Sequence, residues 1–178
     1  MENLIQKAKK DPQAFTELYR AHVAMTYRYA FSRLQNHAET EDIISQTWET
    51  ILMNIGYLRS DHPIVFKAWI FKILKTTIQK HLKVQKKYQV PLEEYADHIV
   101  EDEATLPSNL ARKEENKKQL QKIIRTLPSK QQEVVRLRFA ADLKNYEIAK
   151  IMRISEKTVA SNLYRALRTL EKSLKNLQ

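Results

Sequence analysis

The stretch NYEIAKIMRISEKTVASNLYRAL, residues 145–167, decides how the chain is read. Ile148, Ala149 and Met152 fall at helical spacing, and Ile154 and Ser155 interrupt the pattern. Val159, Leu163, Leu167 and Leu170 then resume it in steps of four, four and three. This spacing predicts two amphipathic helices joined by a tight turn. Ser155 suits the N-cap of the second helix, because its hydroxyl accepts from the free amides of the first turn. With the apolar stripe buried, Lys157, Thr158, Ala160, Ser161, Tyr164, Arg165 and Arg168 are left outward. Cations, hydroxyls and small residues on one face suit a helix lying in a DNA major groove.

Working back from this stretch, Gln131 to Phe139 reads as a helix with Val134, Val135, Leu137 and Phe139 apolar. Leu127-Pro128-Ser129 is a break, and helix runs before it from Ala111 to Thr126. Residues 88–110 carry Pro91, Pro107 and six acids with weak periodicity, the composition of a linker. Near the start, Asp11-Pro12 marks a helix N-terminus, followed at helical spacing by Phe15, Leu18, Tyr19, Val23, Tyr27 and Phe31. A second helix is expected from about Glu39 to Ile55. Ile43, Ile44, Thr47, Trp48, Ile51, Leu52 and Ile55 lie on its apolar side, and Gly56 is its C-cap. Residues 57–64 read as a loop broken by Pro63. A third helix from about Val65 to Lys86 buries Phe66, Trp69, Ile70, Ile73, Leu74, Ile78 and Leu82. The expectation is an all-α protein of two small helical domains, residues 1–87 and 111–178, joined by an acidic flexible linker over 88–110.

Composition narrows the function. One glycine in 178 residues excludes glycine-rich phosphate loops and dinucleotide fingerprints. The absence of cysteine excludes disulfides and thiolate zinc sites, as suits a reducing cytosol. The five histidines are scattered without metal-binding spacing, so no metal and no cofactor is expected. No apolar run approaches the ~20 residues of a membrane span. The net charge of +10 points to a polyanion, with nucleic acid favoured. Its distribution is uneven. Residues 62–91 hold seven lysines and no acid, residues 92–111 hold six acids and no lysine or arginine, and residues 125–178 hold twelve basic and five acidic residues. No nucleophile, base and orienting group form a set, so the chain is not read as an enzyme.

Two separate stretches resemble one family. Leu127-Pro128, Val134-Val135-Arg136-Leu137-Arg138-Phe139, Glu147-Ile148-Ala149, Ile154-Ser155, Thr158-Val159 and Arg165-Ala166 form the carboxy-terminal match. Glu41-Asp42-Ile43-Ile44 with Trp48, then Phe66-Lys67-Ala68-Trp69-Ile70-Phe71-Lys72-Ile73 and His81-Leu82-Lys83, form the amino-terminal one. In this order and separation they resemble an extracytoplasmic-function sigma factor of the bacterial sigma-70 superfamily. The chain departs from the family pattern at several places. Arg153 stands where the family usually has glycine in the turn. Ala160 and Asn162 replace frequent basic residues, and Ser45, Thr76 and Lys80 replace frequent glutamine, asparagine and aspartate.

The resemblance implies a promoter-specificity factor for bacterial core RNA polymerase. By position, it implies that Asp42, Gln46 and Glu49 dock on the clamp coiled coil of the largest subunit. It implies that Lys72, Lys75, Thr76, Gln79, Lys80 and Lys83 recognise and melt the minus-10 element, with loop residues 57–64 near a flipped base. It assigns minus-35 recognition to Lys157, Thr158, Ala160, Ser161, Tyr164 and Arg165, with Arg136 and Arg138 as phosphate contacts. The acidic linker resembles the segment that threads the RNA exit path. The other implied partners are the flap of the second-largest subunit, promoter DNA and an anti-sigma factor, with no small-molecule substrate. The chain starts almost directly at the first domain helix, which is the layout expected of a factor under anti-sigma control. The implied role is initiation in response to envelope or other stress, in the cytoplasm or held at the membrane by the anti-sigma factor. The alternative reading is a polymerase-independent helix-turn-helix regulator, which leaves the Glu41–Lys83 match unexplained.

Overall fold

The computed structural model describes residues 1–88 and 119–175; the expected linker, 88–110, lies outside them apart from Tyr88. The described residues form helices without strands. They are α1 (Glu2–Ala8), α2 (Pro12–Leu34), α3 (His37–Asn54), α4 (Pro63–Tyr88), α5 (described over residues 119–126), α6 (Ser129–Val135), α7 (Asn145–Met152) and α8 (Glu156–Lys175).

The helix starts follow from capping. Asp11 accepts from the Gln13 N–H at 2.9 Å, and Pro12 occupies the first helical position, where its missing N–H is harmless. Asn36 caps α3 through the Glu39 N–H at 3.0 Å. Ser155 caps α8 through the Thr158 N–H at 3.1 Å, as its position implied. Pro63 begins α4 rather than breaking it, for the same reason as Pro12. α1 precedes the helix start read at Asp11-Pro12. It is only 7 residues long and buries Ile5 and Ala8, too short a run to display a period.

Helices α1–α4 pack around Leu18, Tyr29, Ile43, Ile51, Phe66, Ile70, Phe71, Leu74 and Ile78. Trp48 is core, as its position among isoleucines implied. Its ring meets Tyr19 edge-on at 5.1 Å, and its indole N–H donates to the Thr26 hydroxyl at 3.3 Å. Trp69, expected to be buried, is half-buried and lines two cavities. In the carboxy-terminal half, α5, α6 and α8 enclose a smaller cluster of Ile123, Ile124, Leu127, Val135, Ala166 and Leu170.

The larger core does not stop at α4. It continues through Val134, Leu137, Leu143, Ile148 and Val159, with α7 packed on α4. The two halves therefore touch directly.

Four local expectations are corrected. Gly56 is not a left-handed C-cap; α3 ends at Asn54 and passes directly into a 3₁₀ turn, Ile55–Tyr57, with right-handed backbone at Ile55. The helix expected over Gln131–Phe139 ends at Val135 and passes into a π-turn, Arg136–Ala140, closed by the Ala141 N–H on the Arg136 carbonyl. That i→i+5 bond adds a residue to the turn and swings Phe139 to the surface, 61 % exposed. Leu52 and Leu167, placed on apolar stripes, are likewise exposed at the edges of those stripes.

Arg153 ends α7 with φ 55° and ψ 46°, the left-handed conformation that favours glycine. Arg153→Gly is therefore expected to be neutral or to stabilise by up to about 1 kcal/mol, read as an unchanged or raised Tm.

His22 is buried between Trp48 and Phe66, its Nδ1–H donating to the Leu18 carbonyl at 2.8 Å. Burial lowers its pKa below the ordinary 6.5, against the effect of that hydrogen bond. The unfolded chain thus binds the proton more readily than the fold, and stability falls as pH drops through about 6.5. Replacing His22 with leucine should remove a slope of at most about 1.4 kcal/mol per pH unit from the pH dependence of unfolding measured across that range.

Candidate nucleic-acid interface

The exposed side of α8 carries Lys157, Thr158, Ala160, Tyr164 and Arg165, with Ser161 half-buried beside them. Val159, Ala166 and Leu170 are buried on the opposite side and fix the rotation of the helix. The Thr158 hydroxyl pairs with Ser155 Oγ at 2.8 Å, so it serves the helix start as well as the surface. Arg168 donates to the Tyr164 hydroxyl at 3.2 Å and lies 5.9 Å from its ring centroid, which holds the 61 % exposed tyrosine upright.

The two arginines of the π-turn stand elsewhere. Arg138 braces the turn by donating to the Leu143 carbonyl at 3.0 Å. Arg136 points toward the junction of the halves. Burial, followed by the neighbouring Arg33 charge, lowers its pKa, and its Nε is buried without a hydrogen-bond partner.

On α4 the lysines and their polar neighbours share a face. Lys72, Gln79, Lys80 and Lys83 are exposed, and Thr76 is exposed with its hydroxyl bonded to the Lys72 carbonyl. Lys75 is half-buried. All of these but Lys83 border two cavities. One, of about 550 Å³, lies between α4 and the end of α3 and is lined by Thr50, Asn54, Tyr57, Arg59, Trp69, Thr76 and Lys80. Tyr57, 82 % exposed, stands at its edge, in the stretch expected to approach a flipped base. The other, about 1060 Å³, is a groove between α4 and the helix-turn-helix. Lys72, Lys75, Thr76 and Gln79 face Tyr146, Lys150, Arg153 and Glu156 across it.

The contact between the halves is polar at its edges. Glu133 of α6 is 8 % exposed. It accepts from the Tyr29 hydroxyl at 2.8 Å and from Lys75 at 2.9 Å, with Arg33 3.6 Å away. Burial, then the Glu133 charge, raises the Tyr29 pKa far above its ordinary value. Burial works to discharge Arg33, but Tyr29 and Glu133 hold its pKa above the ordinary value. Glu147 of α7 is 5 % exposed; it pairs with Lys67 of α4 and accepts from the Lys144 N–H at 2.9 Å, capping its own helix. Arg28 Nε donates to the Ala140 carbonyl at 2.8 Å. No periodicity points to these pairs across the junction, whose members lie 58 to 112 residues apart.

Asp42, Gln46 and Glu49 lie exposed at i, i+4 and i+7 along one side of α3. The next residue in that row, Met53, is 70 % exposed beside the 51 % exposed Leu52, giving the acidic row an apolar end that the sequence reading missed. Among the described residues, no helix is long and apolar enough to cross a membrane.

Residues 18–88 match the family described as Sigma-70 region 2, and residues 117–170 match Sigma-70, region 4. The RNA polymerase sigma factor SigV of Bacillus subtilis is 32 % identical over 146 residues, 81 % of each chain. The ECF RNA polymerase sigma factor BldN of Streptomyces coelicolor is 30 % identical over 98 % of this chain and 66 % of its own length. Among solved structures, CnrH, in complex with the cytosolic domain of CnrY, superposes with a TM-score of 0.73 at 19 % identity, covering 98 % of this chain and 97 % of that one. The sigma factor RpoE in complex with NepR from Bartonella quintana follows at 0.61 and 20 % identity, over 90 % and 96 %. Both regions occur in order on one chain, with two relatives at 30 % identity or more over most of it, and the chain belongs to the extracytoplasmic-function sigma factors of the sigma-70 superfamily.

Proposed function

We propose that this protein binds core RNA polymerase and directs it to a class of promoters, as an alternative sigma factor. The observation that carries the reading is the presence of both sigma regions on one chain, one bearing the lysine face of α4 and the other the exposed surface of α8. Such factors are not themselves enzymes; they supply recognition and leave the chemistry to the polymerase.

The domain limits 1–87 and 111–178 assign each surface a task. Asp42, Gln46 and Glu49 dock on the clamp coiled coil of the largest subunit, where an exposed acidic row suits a basic partner. Lys72, Lys75, Lys80 and Lys83 hold backbone phosphates of the minus-10 strand, while Thr76 and Gln79 offer edge contacts and Tyr57 a stacking face. Lys157, Thr158, Ala160, Ser161, Tyr164 and Arg165 read the minus-35 duplex, with Arg136 and Arg138 as phosphate contacts. The flap of the second-largest subunit holds the carboxy-terminal domain. Two of the fold neighbours are complexes, CnrH with CnrY and RpoE with the anti-sigma factor NepR, and this supports control by an anti-sigma factor here. The protein acts in the cytoplasm, free or held at the membrane by that partner, in response to envelope or other stress.

Transcription in vitro with cognate core polymerase on fragmented DNA of the source genome tests the whole reading. Discrete start sites that require the protein are expected. Retardation of duplex DNA by the protein alone, with no new starts, would instead identify a polymerase-independent regulator. Arg165→Ala and Lys157→Ala should weaken promoter binding by holoenzyme, by roughly 1–3 kcal/mol where the side chain meets a base edge; where it meets a phosphate, its removal should lower the salt slope by about one. Asp42→Ala should weaken core binding by roughly 1.5–3 kcal/mol, the scale of a hydrogen bond to a charged group, and leave the circular dichroism unchanged.

A further inference from the structure

The segment between α3 and α4 is held from α1. Residues 58–62 form no helix, and their own bonds are short-range: the Leu58 N–H donates to the Ile55 carbonyl at 3.1 Å and the His62 N–H to Ser60 Oγ at 3.3 Å. Lys9, at the end of α1, reaches them across 49 residues of sequence. Its ammonium donates to the Leu58 carbonyl at 2.8 Å and lies 2.6 Å from Asp61 Oδ1, an oxygen shielded from water. Among the described residues, these are the polar contacts that reach residues 58–61 from another element. The hold has a firm base, because Ile5 and Ala8 bury α1 in the core beside Lys9. One cation meets a carbonyl and a carboxylate together and so ties both ends of the segment to one point.

What stands beside the hold gives it a use. Leu58 has extended backbone, φ −67° and ψ 116°, and packs its side chain against the core. Extended backbone sends successive side chains to opposite sides, and Tyr57 and Arg59 are both exposed. Both line the cavity of about 550 Å³ between α4 and the end of α3, with Trp69 and Thr76 among its other walls. Among the described residues, that lining comes from α3, α4 and the segment between them, so contact between the halves leaves the cavity open.

We propose that Lys9 is a positioning residue for base recognition: from α1 it fixes the pose in which Tyr57 and Arg59 meet an unstacked base of the minus-10 strand, and it touches no DNA itself. That role rests on the sigma-factor reading, while the hold is a property of this chain. The lysine acts in two ways. It restricts a segment that would otherwise present Tyr57 and Arg59 in many poses, and a wall that can repack accepts every base alike. It also neutralises Asp61, a carboxylate that would repel the phosphates of an approaching strand.

The test uses the full chain, first alone and then with core polymerase. Lys9→Met keeps an unbranched apolar stem and removes the ammonium. Trypsin cuts after Arg59 when the segment opens into its active site. That cut, followed by mass spectrometry, should be about tenfold faster in Lys9→Met, the scale set by losing a hydrogen bond to a charged group. Cutting after Arg20, inside α2, should stay at the wild-type rate. Holoenzyme is then compared on a promoter that wild type uses, with each minus-10 position replaced in turn. At one position the wild-type penalty of about tenfold or more should fall to near none in Lys9→Met, with the penalties at the other positions and in the minus-35 element unchanged. A merely structural lysine would lower initiation on every sequence by one common factor. Lys9→Met combined with Asp61→Asn removes the stranded acid and should leave the preference flat; a preference restored in that variant would show repulsion by Asp61 in place of positioning. Unchanged cutting after Arg59, or a uniform loss across all positions, would equally overturn the role. Should Lys9→Met fail to fold, Asp61→Asn alone removes the ion pair and leaves α1 whole, and it should move both readings the same way by a smaller factor. Absence of initiation by wild type would sink the sigma-factor reading before any variant is compared, and the role of Lys9 with it. Initiation by Lys9→Met with an unaltered preference would sink the role of Lys9 alone.

Discussion

A carboxylate taken out of water must find counter-charges and donors within hydrogen-bond reach, and among the described residues Glu133 finds its ion pairs and its hydroxyl donor across the junction. Its partners Tyr29, Arg33 and Lys75 belong to α2 and α4, while Glu133 itself sits on α6. The same helix sends Val134 into the core shared with α4 and α7, and Val135 into the smaller cluster beneath α8. One short helix therefore sets both the register of the two halves and the platform of the helix-turn-helix. Its continuation, the π-turn, carries Arg136 into the polar cluster and presents the Ala140 carbonyl to Arg28. Apolar packing between α4 and α7 brings the halves together, and the two carboxylates specify the angle at which they meet.

Glycine is scarce enough to shape the backbone. Among the described residues, chain reversals are made by side chains and by three non-glycine residues with positive φ, Gln35, Asp142 and Arg153. Gln35 is supported by its own amide, which donates to the Phe31 carbonyl at 2.8 Å. Asp142 sits between the π-turn and α7, where Arg138 steadies the next carbonyl at 3.0 Å. Arg153 has no comparable side-chain bond among the described residues, yet it occupies the turn that aims α8, and its charge lines the central groove. A glycine there would relax the backbone and remove a cation from the groove, so turn geometry and charge pull in opposite directions at one residue.

The helices were legible because a period of 3.6 needs no knowledge of the fold. The cap at Ser155 and the left-handed turn at Arg153 were legible because both are local. Three kinds of feature were not. Stripe width depends on what covers it, so Leu52 and Leu167 read as buried and are exposed. Phase depends on unbroken i→i+4 bonding, so the extra residue of the π-turn turned Phe139 outward against its spacing. Contacts between distant helices leave no local trace, and that hid the use made of Glu133, Glu147 and Lys67. Of the candidate surfaces, the outward side of α8 could be drawn from spacing, while the acidic row on α3 came from the family resemblance. Arg136 could not, because its surroundings are set by Arg33 from another helix.

The charge layout of the whole chain takes on a sharper meaning once the junction is known. Seven lysines without an acid in residues 62–91 would repel one another along α4 unless something answered them. Within the fold, part of the answer comes from Glu133 and Glu147, which pair with Lys75 and Lys67. Lys72, Lys80 and Lys83 remain exposed. The lysine face is thus divided between cations satisfied by carboxylates of the other half and cations that only solvent screens.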